Sequence, residues 1–285
     1  MATETHSRTA QRPLNVVLRP GSPAEAAFRS AVLAPGFRPE PGLDLRYFGG
    51  KTLPELIYRL VYLGRWQSAE RHALDGALAA ALSDPGLNDV VAQYFPGQPL
   101  RSTFAGSTLR RGAVPERVDK QAVESLVRDV GNHEAVTCLL LPHGSVLAEG
   151  EITSEHGLGG FHGSVHVRHR TLYYAVAVYS DDGNGIVAFD EPWKNVCATL
   201  YHELQEVRTD PDVEDAIRAG TSRAALHFLG WYSPEGGEIA DIPVAESHGD
   251  VGLVMREVPL AGGGTAPVQL LWSNRVGGPE GPATS

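Results

Sequence analysis

Apolar positions recur at two different periods along this chain. In DKQAVESLVRDVG, Ala122, Val123, Leu126, Val127 and Val130 fall on one side of a 3.6-residue turn and predict a helix. SAERHALDGALAAALSD predicts a second amphipathic helix, with Ser68 as N-cap and Asp-Pro-Gly behind it, and LNDVVAQYF continues it as a short helical turn. TLPELIYRLVYLGRW, with Leu56, Ile57, Leu60, Val61 and Leu63 apolar and Pro54 near its start, is also assigned to helix by spacing. Continuous apolar runs point elsewhere. AVTCLLLP, stopped by Pro142, reads as a strand buried on both faces, and LYYAVAVY as a second strand leading into the turn signal of Asp-Gly-Asn-Gly. LNVVLRPG and LDLRYFGG read as short strands, and residues 97–115 as loop or edge strand. Helices follow at WKNVCATLYHELQEVRTD and DVEDAIRAG, then irregular sequence to the end, with AGGGTAP as a flexible loop. The order helix, strand, strand, helix fits an α+β fold with a mixed sheet beside helices. Residues 1–13 and 276–285 are expected to be disordered, leaving 14–275 as a single domain.

Composition narrows the function classes. A formal charge of −10 leaves no basic footprint for nucleic acid. No stretch approaches 18 uninterrupted apolar residues and the first residues contain no apolar signal core, so no membrane partner is expected and the expected location is the cytoplasm. Cys138 and Cys197, both in apolar contexts, are expected to be buried free thiols, and they exclude a C-x-x-C zinc or redox site. The sequence has no G-x-S-x-G elbow for a serine nucleophile.

The chemistry concentrates in TLYHELQEVRTDP, residues 199–211. On a helix, His202, Glu206 and Asp210 form one stripe, with Glu203 about 100° round from His202. That is the layout of the H-E-x-x-H zinc helix with a glutamate in place of the second histidine, and zinc accepts a carboxylate oxygen at nearly the same distance as an imidazole nitrogen. A solvated charged face would carry the same letters. A further ligand is offered by LGWYSPEGGEIADIP, where Glu238 and Asp241 stand three apart after a Gly-Gly turn, and either could complete a zinc site. Tyr232 precedes that pair and is a candidate donor to a developing oxyanion. His162, between glycines in GGFHG, is a candidate metal or substrate contact, whereas His166, His169, His227, Trp66 and Trp231 are read as surface or packing residues.

The segments H-E-L-Q-E-V-R-T-D-P, G-W-Y-S-P-E-G-G-E-I-A-D, VQLLWSNRVGG, GLGGFHGSVHVRHRTLYYAVAVYS and RYFGGKTLPELIYRLVYLGRWQ occur in an order that resembles bacterial zincin-like proteins related to the plant Exordium (phosphate-induced protein) family. The resemblance implies a zincin-like fold whose metal helix carries His202, Glu203, Glu206 and Asp210, with Glu238 and Asp241 in the second motif. The plant proteins lose the H-E-x-x-E segment, and Pro243 stands where bacterial relatives often have a cysteine. The expectation is a Zn²⁺-dependent hydrolase of a peptide or other amide, in which Glu203 takes the proton from the zinc-bound water. Asp210 is expected to orient His202 or to fix the helix end. The alternatives are a catalytically silent metal- or ligand-binding protein and an enzyme acting on a small amide in a specialised pathway.

Overall fold

In the computed structural model, which describes residues 31–220 and 224–281, alternation by twos sorts the side chains of Glu55–Leu63. Leu56, Tyr58, Leu60 and Tyr62 enter one apolar core, while Val61 and Leu63 enter another. The segment is therefore a strand, and the helix expected there is corrected. A strand covered on both faces needs apolar residues at odd and even positions alike, and these happen to satisfy a 3.6 period; the aromatic and β-branched residues were the better guide. This strand, β1 (Glu55–Leu63), joins β2 (Arg101–Arg110), β3 (Val136–Leu140), β4 (Gly160–Val167) and β5 (Arg170–Ala177) in a sheet of order β2-β1-β3-β5-β4. All neighbours are parallel except β4, which runs antiparallel to β5 at the edge. The mixed sheet beside helices is thus present, and residues 101–110 are edge strand rather than loop.

The helices are α1 (Ser68–Ser83), α2 (Pro85–Ala92), α3 (Lys120–Val130), α4 (Pro192–Thr209), α5 (Val213–Ala219) and α6 (Asp241–Glu246). The amphipathic pattern of α3 lays Val123 and Val127 on one face of the sheet, against Leu139, Val165 and Val176. On the other face α1 and α4 pack over Tyr58, Leu60, Cys138 and Ala175. Asp84 and Asp119 accept from the backbone N–H groups of Leu87 and Ala122 at 3.0 and 2.8 Å, capping α2 and α3. Both cysteines are free and buried. Among the described residues no helix is long and apolar enough to cross a membrane.

The C-terminal part is not irregular. Strands β6 (Met255–Pro259) and β7 (Thr265–Gln269) form an antiparallel hairpin. AGGGTAP supplies its turn, with Gly263 and Gly264 at φ of 91° and 79°, a region that side chains disfavour. β8 (Leu271–Ser273) then pairs with β9 (Gly278–Gly281), and Val32–Leu33 adds to the outer side of β9. Of the tail expected to be disordered, 276–285, residues 278–281 are therefore strand, and 282–285 lie outside the described residues. Low hydrophobicity in GGPEG hid this strand, which is held by Glu280: its carboxylate accepts from Arg275 at 2.9 Å, and Arg275 also reaches Asp89 at 2.8 Å. The strand expected at LNVVLRPG and the disorder expected at residues 1–13 lie outside the described residues.

Asn274 closes the C-terminal segment onto the body. Its Oδ1 accepts from the backbone N–H of Leu45 at 2.9 Å and its Nδ2 donates to the Leu45 carbonyl at 2.8 Å, while its own N–H donates to the Tyr94 hydroxyl at 3.2 Å. Asn274→Ala strips two backbone groups of their partners and should lower unfolding stability by about 1–3 kcal/mol. Urea denaturation read by tryptophan fluorescence measures it, and a loss within error would show that the bracket is replaced by solvent.

Candidate metal centre

Helix α4 runs between the sheet and the β6–β7 hairpin, and every side chain from Asn195 to Thr209 is buried. Its polar residues therefore do not form a solvated charged face. A buried carboxylate or imidazole requires partners. His202 and Glu206, one turn apart, approach at 3.1 Å between Nε2 and Oε2. The other nitrogen of His202, Nδ1, meets Gln269 Oε1 at 2.7 Å, and Gln269 Nε2 donates to the Ala240 carbonyl at 2.6 Å. With Nδ1–H donated to that amide oxygen, Nε2 is turned towards Glu206 and Asp241, whose Oδ1 lies 3.5 Å away. Glu206 Oε1 accepts from the backbone N–H groups of Asp241 and Ala240 at 3.1 and 3.3 Å, which leaves Oε2 for the centre. Of the two acids expected to offer the further ligand, Asp241 is the one set against His202.

Glu238 stands on the other side, 3.5 Å from His162 Nε2. His162, on edge strand β4, presents Nδ1 to Glu203 at 3.3 Å and to Glu206 at 3.4 Å. The glycine before it in this face of the strand is required: a Cβ on Gly160 would lie 2.3 Å from the Val176 carbonyl and 3.1 Å from Glu203 Oε1. His162 thus joins the cluster directly. His202, Glu206 and Asp241 offer ligand atoms within 4.8 Å of one another, as do His162, Glu203 and Glu206.

Asp210 does not orient His202, since Gln269 does so. It terminates α4, and Oδ1 accepts from the Gly230 N–H at 2.9 Å. Burial pushes its carboxyl up to about 7, moderated by that hydrogen bond. The folded chain therefore keeps a proton that the unfolded chain releases near pH 4, so the contribution of Asp210 to stability falls as pH rises from about 4 towards 7. Tyr232 is half-buried in the cavity adjoining the cluster, which also touches Glu238 and Asp241. Burial first, then those two carboxylates, raise its phenol and keep it protonated. His166, His169 and His227 are exposed and lie outside the cluster, whereas Trp66 and Trp231 pack against the core.

The cluster is electrostatically coupled. Burial opposes charge on His202 and His162, but the surrounding glutamates outweigh it and hold both imidazoles well above the ordinary histidine range. For Glu206 burial is outweighed by the two imidazoles, and its carboxyl falls to about 2. Burial wins at Glu203 and Glu238, whose carboxyls are raised. The centre thus contains one firmly ionised carboxylate between two groups of higher basicity. It opens into a cavity of about 380 Å³ walled by Leu158, Phe161, Ile186, Val244 and Met255.

These donors could hold a metal ion such as zinc. Bonds of about 2.0–2.1 Å in tetrahedral array place neighbouring ligand atoms roughly 3.3 Å apart. The separations of 3.1 and 3.5 Å from His202 Nε2 bracket that value. Sequence reasoning missed Gln269, although a glutamine inside the apolar run APVQLLW is a buried polar group that must find a partner. Compared with protein-family models, curated proteins and solved structures, the chain shows no significant match.

Gln269→Ala frees the His202 ring to rotate and should weaken metal binding about 10–100-fold, read by competition with a chromogenic chelator. Asp210→Asn keeps the acceptor for Gly230 but has no carboxyl to ionise, so it should leave metal affinity near wild type and should not lower the melting temperature at pH 7. Asp210→Ala should lower stability by about 1–3 kcal/mol. Equal destabilisation by both changes would remove the hydrogen bond to Gly230 from the account.

Proposed function

We propose that the protein is a zinc-dependent hydrolase of a peptide or other amide bond, with a zincin-like arrangement of its metal helix. The observation that carries this reading is the convergence of His202 Nε2, Glu206 and Asp241 at ligand spacing with a buried carboxylate of raised basicity, Glu203, beside them. His202, Glu206 and Asp241 would hold the zinc, and Gln269 and the Ala240–Asp241 backbone fix their aim. Bound zinc supplies a water acidified towards neutral pH and a Lewis acid for the carbonyl oxygen.

The chain's own groups do the rest. Glu203 Oε1 lies 3.9 Å from His202 Nε2, on the cavity side, where it can accept the water's proton and return it to the leaving nitrogen. His162 holds the other oxygen of that carboxylate at 3.3 Å and limits its rotation. Tyr232, kept protonated, is the donor available to the oxyanion. The cavity runs beside β4 at Gly160, Phe161 and His162, while further along that strand α5 covers the outer side and Arg218 donates to the Ser164 carbonyl, so the substrate would enter from the cavity.

Glu203→Gln preserves size and helix propensity but removes the acceptor. The His202-held zinc should remain bound while cleavage of a mixed peptide pool falls roughly 10²–10⁴-fold. His202→Ala should lose the zinc itself. Zinc content and cleavage measured on one preparation decide the matter. A zinc-loaded wild-type protein that cleaves no peptide and no small amide would favour the silent binding protein, and unchanged cleavage by Glu203→Gln would remove Glu203 from the chemistry.

A further inference from the structure

We infer that the centre binds two divalent cations bridged by Glu206, the second held by His162, Glu203 and Glu206. The inference rests on the metal-centre reading of His202, Glu206 and Asp241 and adds a site to it, which takes Glu203 Oε2, the oxygen beside His162, and leaves Oε1 for the proton.

The first observation is that the ligand atoms fall into two sets that share Glu206 and no other residue: His202, Glu206, Asp241 and His162, Glu203, Glu206. Both imidazoles converge on the same oxygen. His202 Nε2 is 3.1 Å from Glu206 Oε2, and His162 Nδ1 is 3.4 Å from it. The remaining oxygen, Oε1, is held by the N–H groups of Ala240 and Asp241 and is turned from both rings. A carboxylate oxygen fixed between two imidazoles is placed to bridge two cations.

A second observation is independent of those sets. Glu238 is 8 % exposed, yet its Oε1 has no hydrogen-bond donor, and it faces His162 Nε2, a buried nitrogen that also has no partner, at 3.5 Å. His202 has the matching arrangement, with one nitrogen towards Glu206 and the other on Gln269. An imidazole whose far N–H is directed at a carboxylate, with its near nitrogen facing other carboxylates, is in the orientation of a metal ligand. Nothing in the first site requires His162 or Glu238 to be buried there.

Charge points the same way. Glu203, Glu206, Glu238 and Asp241 surround the centre, and one dication would leave two negative charges beside groups that are, except for Asp241, removed from water. A second dication neutralises them. Protons on Glu203 and Glu238 are the alternative means of neutralisation. The nitrogen and carboxylate donors suit first-row divalent ions such as Zn²⁺ and Mn²⁺.

The test is a titration of the full chain, stripped with chelator and dialysed, first with Zn²⁺ and then with Mn²⁺. Calorimetry and elemental analysis should give two equivalents of zinc for the wild type and one for His162→Gln. Mn²⁺-loaded wild type should show the electron paramagnetic resonance signal of an exchange-coupled pair, absent in His162→Gln. Glu238→Gln, which leaves all five ligand atoms in place, should weaken only the second equivalent, about 10–100-fold, and serves where the histidine variant fails to fold. Saturation of the wild type at one equivalent overturns the second site and leaves the first intact, with protons as the neutralising groups. Two equivalents with uncoupled Mn²⁺, or a second equivalent indifferent to both variants, places that ion elsewhere and also overturns the inference. No bound metal under any condition overturns this inference together with the function it rests on.

Discussion

A helix that is buried on all sides yet carries histidine, glutamate, glutamine, arginine and aspartate sets the terms for the rest of this molecule. From Asn195 to Asp210 water is excluded from α4 and its continuation. Each polar group there must find a partner within the protein or cost several kcal/mol. The surrounding elements supply partners to several of them, while both polar atoms of the Gln205 side chain are buried without one. Gln269 on β7 takes the far nitrogen of His202, the first backbone N–H groups of α6 take Glu206, Gly230 takes Asp210, and Ser102 on β2 takes the guanidinium of Arg208 at 2.5 Å. Burial lowers Arg208 to about 10, a sign of how far from water the helix sits.

This demand ties together parts of the chain far apart in sequence. The centre draws on β4 at residue 162, α4 at 202–206, the turn before α6 at 238–241 and β7 at 269. The hairpin that contributes Gln269 covers α4, and the strand beyond it is clasped to the body by Asn274 and Tyr94. A fault in the C-terminal clasp is therefore felt at the site, because Gln269 and Ala240 are joined to each other and to His202 by short hydrogen bonds. Apolar packing of α1 and α4 on the sheet supplies the stability against which the polar cluster is held.

How much of this could be read from the sequence depends on how local the cause was. The spacing of α3 and the apolar run of β3 are one-element properties and were legible. Helix α4 and the grouping of His202, Glu203 and Glu206 on it were legible because one helical turn fixes their relative positions. β1 was misread because burial on both faces erases the period that separates strand from helix. β9 was missed because GGPEG forms a strand through pairing and the Arg275–Glu280 contact, neither of which is visible in five small or polar letters. The choice between Glu238 and Asp241, and the part played by Gln269, depended on how α6 and β7 dock, so no spacing rule could reach them. His162 was flagged by its glycine neighbours, and the physical reason is now plain: Gly160 has no room for a side chain between the Val176 carbonyl and Glu203.

The same exclusion of water that makes the cluster costly also gives it chemical force. Exposed carboxylates at this density would be screened and would relax away from one another. Here Glu206 is pinned through Oε1, the His202 ring is pinned through Gln269, and the cavity wall at Phe161, Val244 and Met255 limits the solvent that could compensate charge. Its own means of neutralisation are protons on the two imidazoles and on Glu203 and Glu238. The mutual repulsion of its carboxylates favours whatever brings positive charge between them, so cation affinity and folding stability become two readings of one quantity. A cation bound there would stabilise the folded chain by its affinity for it, and the apolar core in which α4 is packed is what holds the cluster together in its absence.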